Sequence, residues 1–170
     1  MSTAEAKEGF CEKHGEFVPL IAAIEMVEES VGEAKPAALR VSTAGLHESL
    51  AHGLLPHAVG EGRTVFPVLR RVTGADEATA TMNRDHKEIG RLTDELERVR
   101  GEIAASGFDV AHERRLGELL HSLRQVIERH FEEEQEACFS ILKTELGPDE
   151  ARDLFEAMER ATGEIRSLYE

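Results

Sequence analysis

Cysteine is scarce in this 170-residue chain: Cys11 and Cys138 are its only two, 127 residues apart and in no CxxC pair. Their spacing excludes a disulfide framework and a cysteine-based zinc site, and leaves free thiols in a reducing compartment as the expectation. Basic charge is short as well. Twenty Lys and Arg against 34 Asp and Glu give a formal net charge of −14, which repels phosphate backbones and anionic lipid and argues against nucleic acid or a membrane surface as partner. Long apolar runs are missing: the longest, Phe17 to Ile24, is eight residues and contains Pro19, too short to span a bilayer. The opening MSTAEAKEGF has no basic start followed by an apolar segment, so no secretion signal is read there and a cytoplasmic location is expected. Five scattered prolines, with 41% hydrophobic and 32% charged residues, exclude disorder and low complexity. What remains is one globular domain, long enough to hide roughly 70% of its unfolded surface.

There is no sustained two-residue alternation of the kind a half-buried strand needs, and helix formers dominate. An all-α fold follows. Gly or Pro with Asp mark breaks at Gly32 to Pro36, Thr73 to Asp76, Ser106-Gly107 before Asp109, and Gly147-Pro148-Asp149. These place five helices near 4–31, 36–72, 76–105, 109–146 and 149–168. Ile89, Leu92, Leu96, Val99 and Ile103 recur at three- and four-residue steps, the stripe of a bundle interior, and Phe17, Leu20, Ile24, Val27 and Val31 repeat it.

The stripes belong to an internal duplication. HGEFVPLIAAIEMV (14–27) aligns on HKEIGRLTDELERV (86–99) at an offset of 72, and HAVGEGRTVFPVL (57–69) on HFEEEQEACFSIL (130–142) at an offset of 73. Two helical hairpins, each with one His on its first helix and a His-x-x-x-Glu on its second, predict an up-down-up-down four-helix bundle over residues 1–146. Residues 147–170 have no counterpart and form an additional helix, packed on the bundle or on a partner subunit.

In His57-x-x-x-Glu61 and His130-x-x-x-Glu134 the paired side chains are about 40° apart around the helix and about 6 Å apart along it, so both face the same way. The levels also agree. From His14 to the end of the first helix is about 26 Å and the return from 36 to His57 about 32 Å; the second hairpin gives about 30 Å from His86 and about 32 Å back to His130. Four histidines in one layer, with Glu61 and Glu134 beside them, make a metal site whose donors suit iron, zinc or manganese.

The pattern His14, His57-x-x-x-Glu61, His86, His130-x-x-x-Glu134, with Phe66-Pro67 after the first His-Glu element, resembles the hemerythrin-like, or HHE cation-binding, family over residues about 10 to 142. The resemblance implies a non-haem diiron centre: two iron ions, with zinc or manganese ranked below, bridged by Glu61, Glu134 and an oxo or hydroxo ligand, and completed by His14, His57, His86 and His130. A ferritin-like site would use Glu-x-x-His, the reverse order. Oxygen-carrying hemerythrins add a His-x-x-x-His on the third helix and a His-x-x-x-x-Asp on the fourth. Here Met82 and Gly90 flank His86 at four residues, and Glu134 comes at the shorter spacing. The fewer histidines favour reaction with O2, H2O2 or NO, as a diiron oxidase or a peroxide- or NO-reactive enzyme with a reductant the sequence does not name. Reversible binding, sensing or storage of O2 or iron is the alternative, and a homodimer stays open.

Around these residues, Pro56, Gly60 and Gly62 are costly in a helix. They point to close backbone approach, to an adaptable carboxylate, or to tolerance inside a well-packed bundle. His47, His52, His112 and His121 are assigned off the site, Glu132, Glu133 and Glu136 to a solvated face, and Phe10, Val18, Met82 and Ile127 to the dry wall of the metal pocket or to ordinary core.

Overall fold

The computed structural model describes residues 15–135 and 144–168, Ala78 by its backbone alone. The helices are α1 (Val18–Ser30), α2 (Pro36–Ser49), α3 (Leu55–Thr73), α4 (Ala80–Ser106), α5 (Val110–Glu133) and α6 (Pro148–Arg166). A π-helical turn at Leu50–Leu54 carries α2 directly into α3, and a 3-10 turn at Asp76–Thr79 leads into α4. No strand occurs among the described residues. The fold is all-α: α1, α2–α3, α4 and α5 are the bundle, and α6 is the additional helix.

The breaks fall where the turn residues put them. Pro36 and Pro148 stand at the first position of their helices, where the missing N–H has no helical partner to lose. Gly74 closes α3 in the left-handed conformation, φ 65°, with its N–H on the Arg70 carbonyl. Asp109 caps α5 by accepting the His112 N–H at 2.9 Å.

The expected helices differ in places: the one over 76–105 opens with the 3-10 turn, and the one over 109–146 is α-helical to Glu133, with residues 136–143 outside the described residues. Regular helix begins at Val18, after a turn at Glu16 and Phe17, because Pro19 has no N–H and its ring crowds the carbonyl four residues back; residues 4–14 of the expected helix lie outside the described residues. The helix expected over 36–72 is interrupted by the π turn, whose last bond runs from the Leu55 N–H to the Leu50 carbonyl.

Two apolar cores result. The larger takes Leu20 and Ile24 from α1, Leu50 from the π turn, Leu96 from α4, and Leu120 and Leu123 from α5. The smaller joins Val65, Phe66 and Leu69 of α3, Met82 of α4, and Leu154 and Met158 of α6. Among the described residues, helix α6 packs on α3 more extensively than any other two helices pack.

Charge ties α1 to α5. Glu28 accepts from Arg124 Nε at 2.9 Å and meets His121 Nδ1 at 2.8 Å. Burial pushes the Glu28 carboxyl up, but the hydrogen bonds from Arg124 and His121 outweigh it, and its pKa is lowered. A carboxyl with a depressed folded pKa contributes stability that is complete above the unfolded value, about 4.3, and is lost as pH falls through the folded value. Glu28→Gln should therefore cost about 0.5–1 kcal/mol in urea unfolding at neutral pH, with the gap to the parent closing in acid. A gap that does not vary with pH would remove the electrostatic part of this account.

Candidate metal centre

His57 and Glu61 enter the centre from the first turns of α3, and the local sequence explains how. Pro56 offers no N–H to the carbonyl of His52, one turn back. The π turn ends just before it, and the His52 carbonyl accepts instead from Arg166 Nε of α6 at 3.2 Å. The widened turn re-phases the helix, as π-bulges do, and His57 and Glu61 point inward, each 3% exposed.

Opposite them, α4 supplies His86 and the end of α5 supplies His130, with Glu134 in the π-helical turn that follows α5. Glu61, His86, His130 and Glu134 each bring one donor atom within 4.8 Å of all the others. Glu61 stands between two imidazoles, its Oε1 2.9 Å from His57 Nε2 and its Oε2 3.4 Å from His86 Nε2. The Nε2 atoms of His86 and His130 are 3.0 Å apart, and His130 Nε2 is 3.6 Å from Glu134 Oε2. Carboxylates and imidazoles this deeply buried are costly unless paired or used as ligands. Donors about 2.1 Å from one ion and at right angles to each other are about 3 Å apart, so the His86–His130 separation fits a shared metal. His57 joins the group through Glu61. His14 lies outside the described residues.

The signature of the hemerythrin HHE cation binding domain matches residues 10–136. This chain belongs to that family. No curated protein and no solved structure matches it.

The walls of this hemerythrin-like centre are aromatic. Phe17 lies 5.1 Å from the His57 ring and 5.9 Å from Phe131, and Phe66 stacks on His86 at 5.1 Å and 20°. Sequence reasoning missed Phe17 and Phe131 and chose Val18, which the structure corrects: Val18 is 60% exposed. The turn before Pro19 sends Phe17 inward and Val18 outward. Met82 and Ile127 are buried in the smaller and larger core, while Phe10, Cys11, Glu136 and Cys138 fall outside the described residues. Glu132 is exposed and Glu133 half-buried.

The remaining histidines stay off the centre. His47, His52, His112 and His121 face Glu97, Glu48, Asp109 and Glu28 respectively. The glycines divide. A Cβ on Gly60 would lie 2.4 Å from Thr162 Oγ1 of α6, whereas one on Gly62 meets nothing within 4 Å. Close approach therefore explains Gly60, and nothing in the structure explains Gly62. A groove of about 620 Å³ between α1 and α2, lined by Leu20, Ala23, Gly45 and Gly53, reaches Phe17. No helix among the described residues is long and apolar enough to cross a membrane.

Beside the histidines runs a second pair that was not anticipated. Asp85, next to His86, is 2% exposed and accepts from Arg129 Nη2, next to His130, at 2.6 Å. That bond raises the pKa of Arg129, and the other Asp85 oxygen makes no hydrogen bond among the described residues. Arg129→Ala should strand a buried carboxylate and lower stability by about 1–3 kcal/mol in urea unfolding. An unchanged midpoint would mean that water replaces the guanidinium at no cost.

Proposed function

We propose that the protein is a non-haem diiron protein that reacts with O2, H2O2 or NO. In this reading His14, His57, Glu61, His86, His130 and Glu134 hold two iron ions, with Glu61 and Glu134 as bridging carboxylates. The observation that carries it is the position of Glu61, whose two oxygens face imidazoles from different helices. Glu134 occupies the corresponding place in the duplicated half, buried at 2%. Bound iron would supply the electrons for reduction of a small oxidant.

The chain's own groups supply the setting. Phe17, Phe66 and Phe131 exclude water from the imidazoles, so that charge on the carboxylates is met by ligands and not by solvent. The groove between α1 and α2 gives a small apolar molecule a route as far as Phe17. The absence of a fifth histidine on α4 supports reactivity over simple carriage, because positions left without protein ligands are where a substrate binds.

An anaerobic Fe(II) titration of metal-free protein, followed by admission and withdrawal of O2, tests this reading. About two irons per chain are expected, with an oxidised spectrum that persists after O2 is withdrawn and cycles with a reductant. A spectrum that reverses when O2 is removed would favour binding or sensing without turnover. Glu61→Ala and Glu134→Ala should each abolish the dinuclear spectrum while helical circular dichroism is kept. A normal coupled spectrum in both variants would overturn the ligand assignment.

A further inference from the structure

Four contacts of α6 line up along the segment that carries His57 and Glu61. Arg166 binds the His52 carbonyl; Thr162 and Met158 meet Gly60; Met158, fully buried, shares the smaller core with Phe66, whose ring stacks on His86; and Glu150 pairs with Arg71. They bracket His57 and Glu61 from both ends. At Gly60 the two helix backbones nearly touch: a Cβ there would stand 3.2 Å from the Met158 carbonyl oxygen and 3.3 Å from the Thr162 nitrogen, besides the 2.4 Å to Thr162 Oγ1. Thr162 is 7% exposed, and its hydroxyl makes no hydrogen bond among the described residues. It is held against Gly60 by packing alone.

We propose that Gly60 is a positioning residue for Glu61 through its backbone contact with α6 at the Met158 carbonyl and the Thr162 nitrogen, so that seating of α6 and metal binding are thermodynamically linked. The inference rests on the metal-binding reading above. Its physical basis is tolerance: a productive ligand set must be held within about 0.5 Å, and Gly60 is the residue before Glu61. A displacement of α3 from α6 at Gly60 beyond that tolerance moves the Glu61 carboxylate out of place relative to His57 and His86. Linkage is reciprocal, so metal bound at Glu61 must in turn favour the seated α6.

The test uses Co(II) as probe on the full chain, reading affinity by titration and ligand geometry by the visible absorption of the bound ion. Gly60→Ala should weaken Co(II) binding roughly 10- to 100-fold, as loss of outer support for ligands does, and alter the absorption bands. Thr162→Ala alone should bind as the parent does. The double variant should recover most of the affinity and the parental spectrum, because only the contacts at 3.2 and 3.3 Å remain and small shifts relieve them. Gly60→Ala with a lowered melting temperature but parental Co(II) affinity and spectrum would overturn the proposal and leave α6 a structural cover. Should Gly60→Ala not fold, hydrogen exchange of the parent decides: Co(II) should slow the amides of α6, and unchanged exchange there overturns the linkage. A parent chain that binds neither Co(II) nor Fe(II) would overturn the metal reading and the linkage together; Co(II) bound with α6 indifferent overturns the linkage alone.

Discussion

Two glutamates and three histidines are gathered inside a helical bundle, and the rest of the structure follows from the need to satisfy them there. His57, Glu61, His130 and Glu134 are each at most 3% exposed, in surroundings where an uncompensated charge would be untenable. Compensation requires three separate helix segments to deliver their donors at one level. That sets a common level for α3, α4 and α5, which a core of Leu and Ile, tolerant of exchange among similar residues, specifies less narrowly. Two of these helices, α3 and α4, show the constraint in their order of residues. Along α3 the π turn's Leu54 belongs to the larger core, His57 and Glu61 to the centre, and Val65, Phe66 and Leu69 to the smaller core. Helix α4 runs the other way, from Met82 in the smaller core past Asp85 and His86 to Ile89 in the larger.

The segment HGLLPHAVGEG would be a poor helix by itself, and its irregularities turn out to be interlocking. Proline at 56 removes a helical hydrogen bond, the π turn absorbs the steric conflict, and Arg166 takes the carbonyl left over. Glycine at 60 gives up helix propensity and admits the backbone of α6. The propensity cost is about 3 kcal/mol for an interior proline and about 1 for a glycine, and the offset comes from tertiary packing of α6, well outside the local sequence.

That is also where legibility ended. Apolar stripes at three- and four-residue steps located the helices, because periodicity encodes burial directly. The duplicated His and His-x-x-x-Glu elements pointed to His57, Glu61, His86, His130 and Glu134, which the fold brings together, because four residues on a helix return to the same face whatever surrounds them. Phe17 was legible as an interior position of its stripe, whereas Val18 falls beside His14 only on an unbroken helix, and Pro19 breaks it. The π turn was invisible for the same reason: one widened turn alters phase without a residue type of its own. On α6, Leu154, Met158 and Ile165 make a buried apolar face, but such a face in a sequence does not say what it will cover. Gly60 was the one local sign of its partner, and it carried that meaning only once Thr162 was seen against it.

The position of the centre between two cores has a consequence for how binding energy is distributed. A metal site within one core would be braced on all sides by the same packing, and occupancy would matter little to the surrounding helices. Here α3 and α4 pass through the centre from one core to the other, and α6 contributes to the smaller core alone. Glu61 and Glu134 therefore meet at the seam, and a metal held by donors from α3, α4 and the end of α5 would fasten the two cores to each other. The free energy of binding would then appear in part as order in the smaller core and in α6, which meets the segment carrying Glu61 at Gly60.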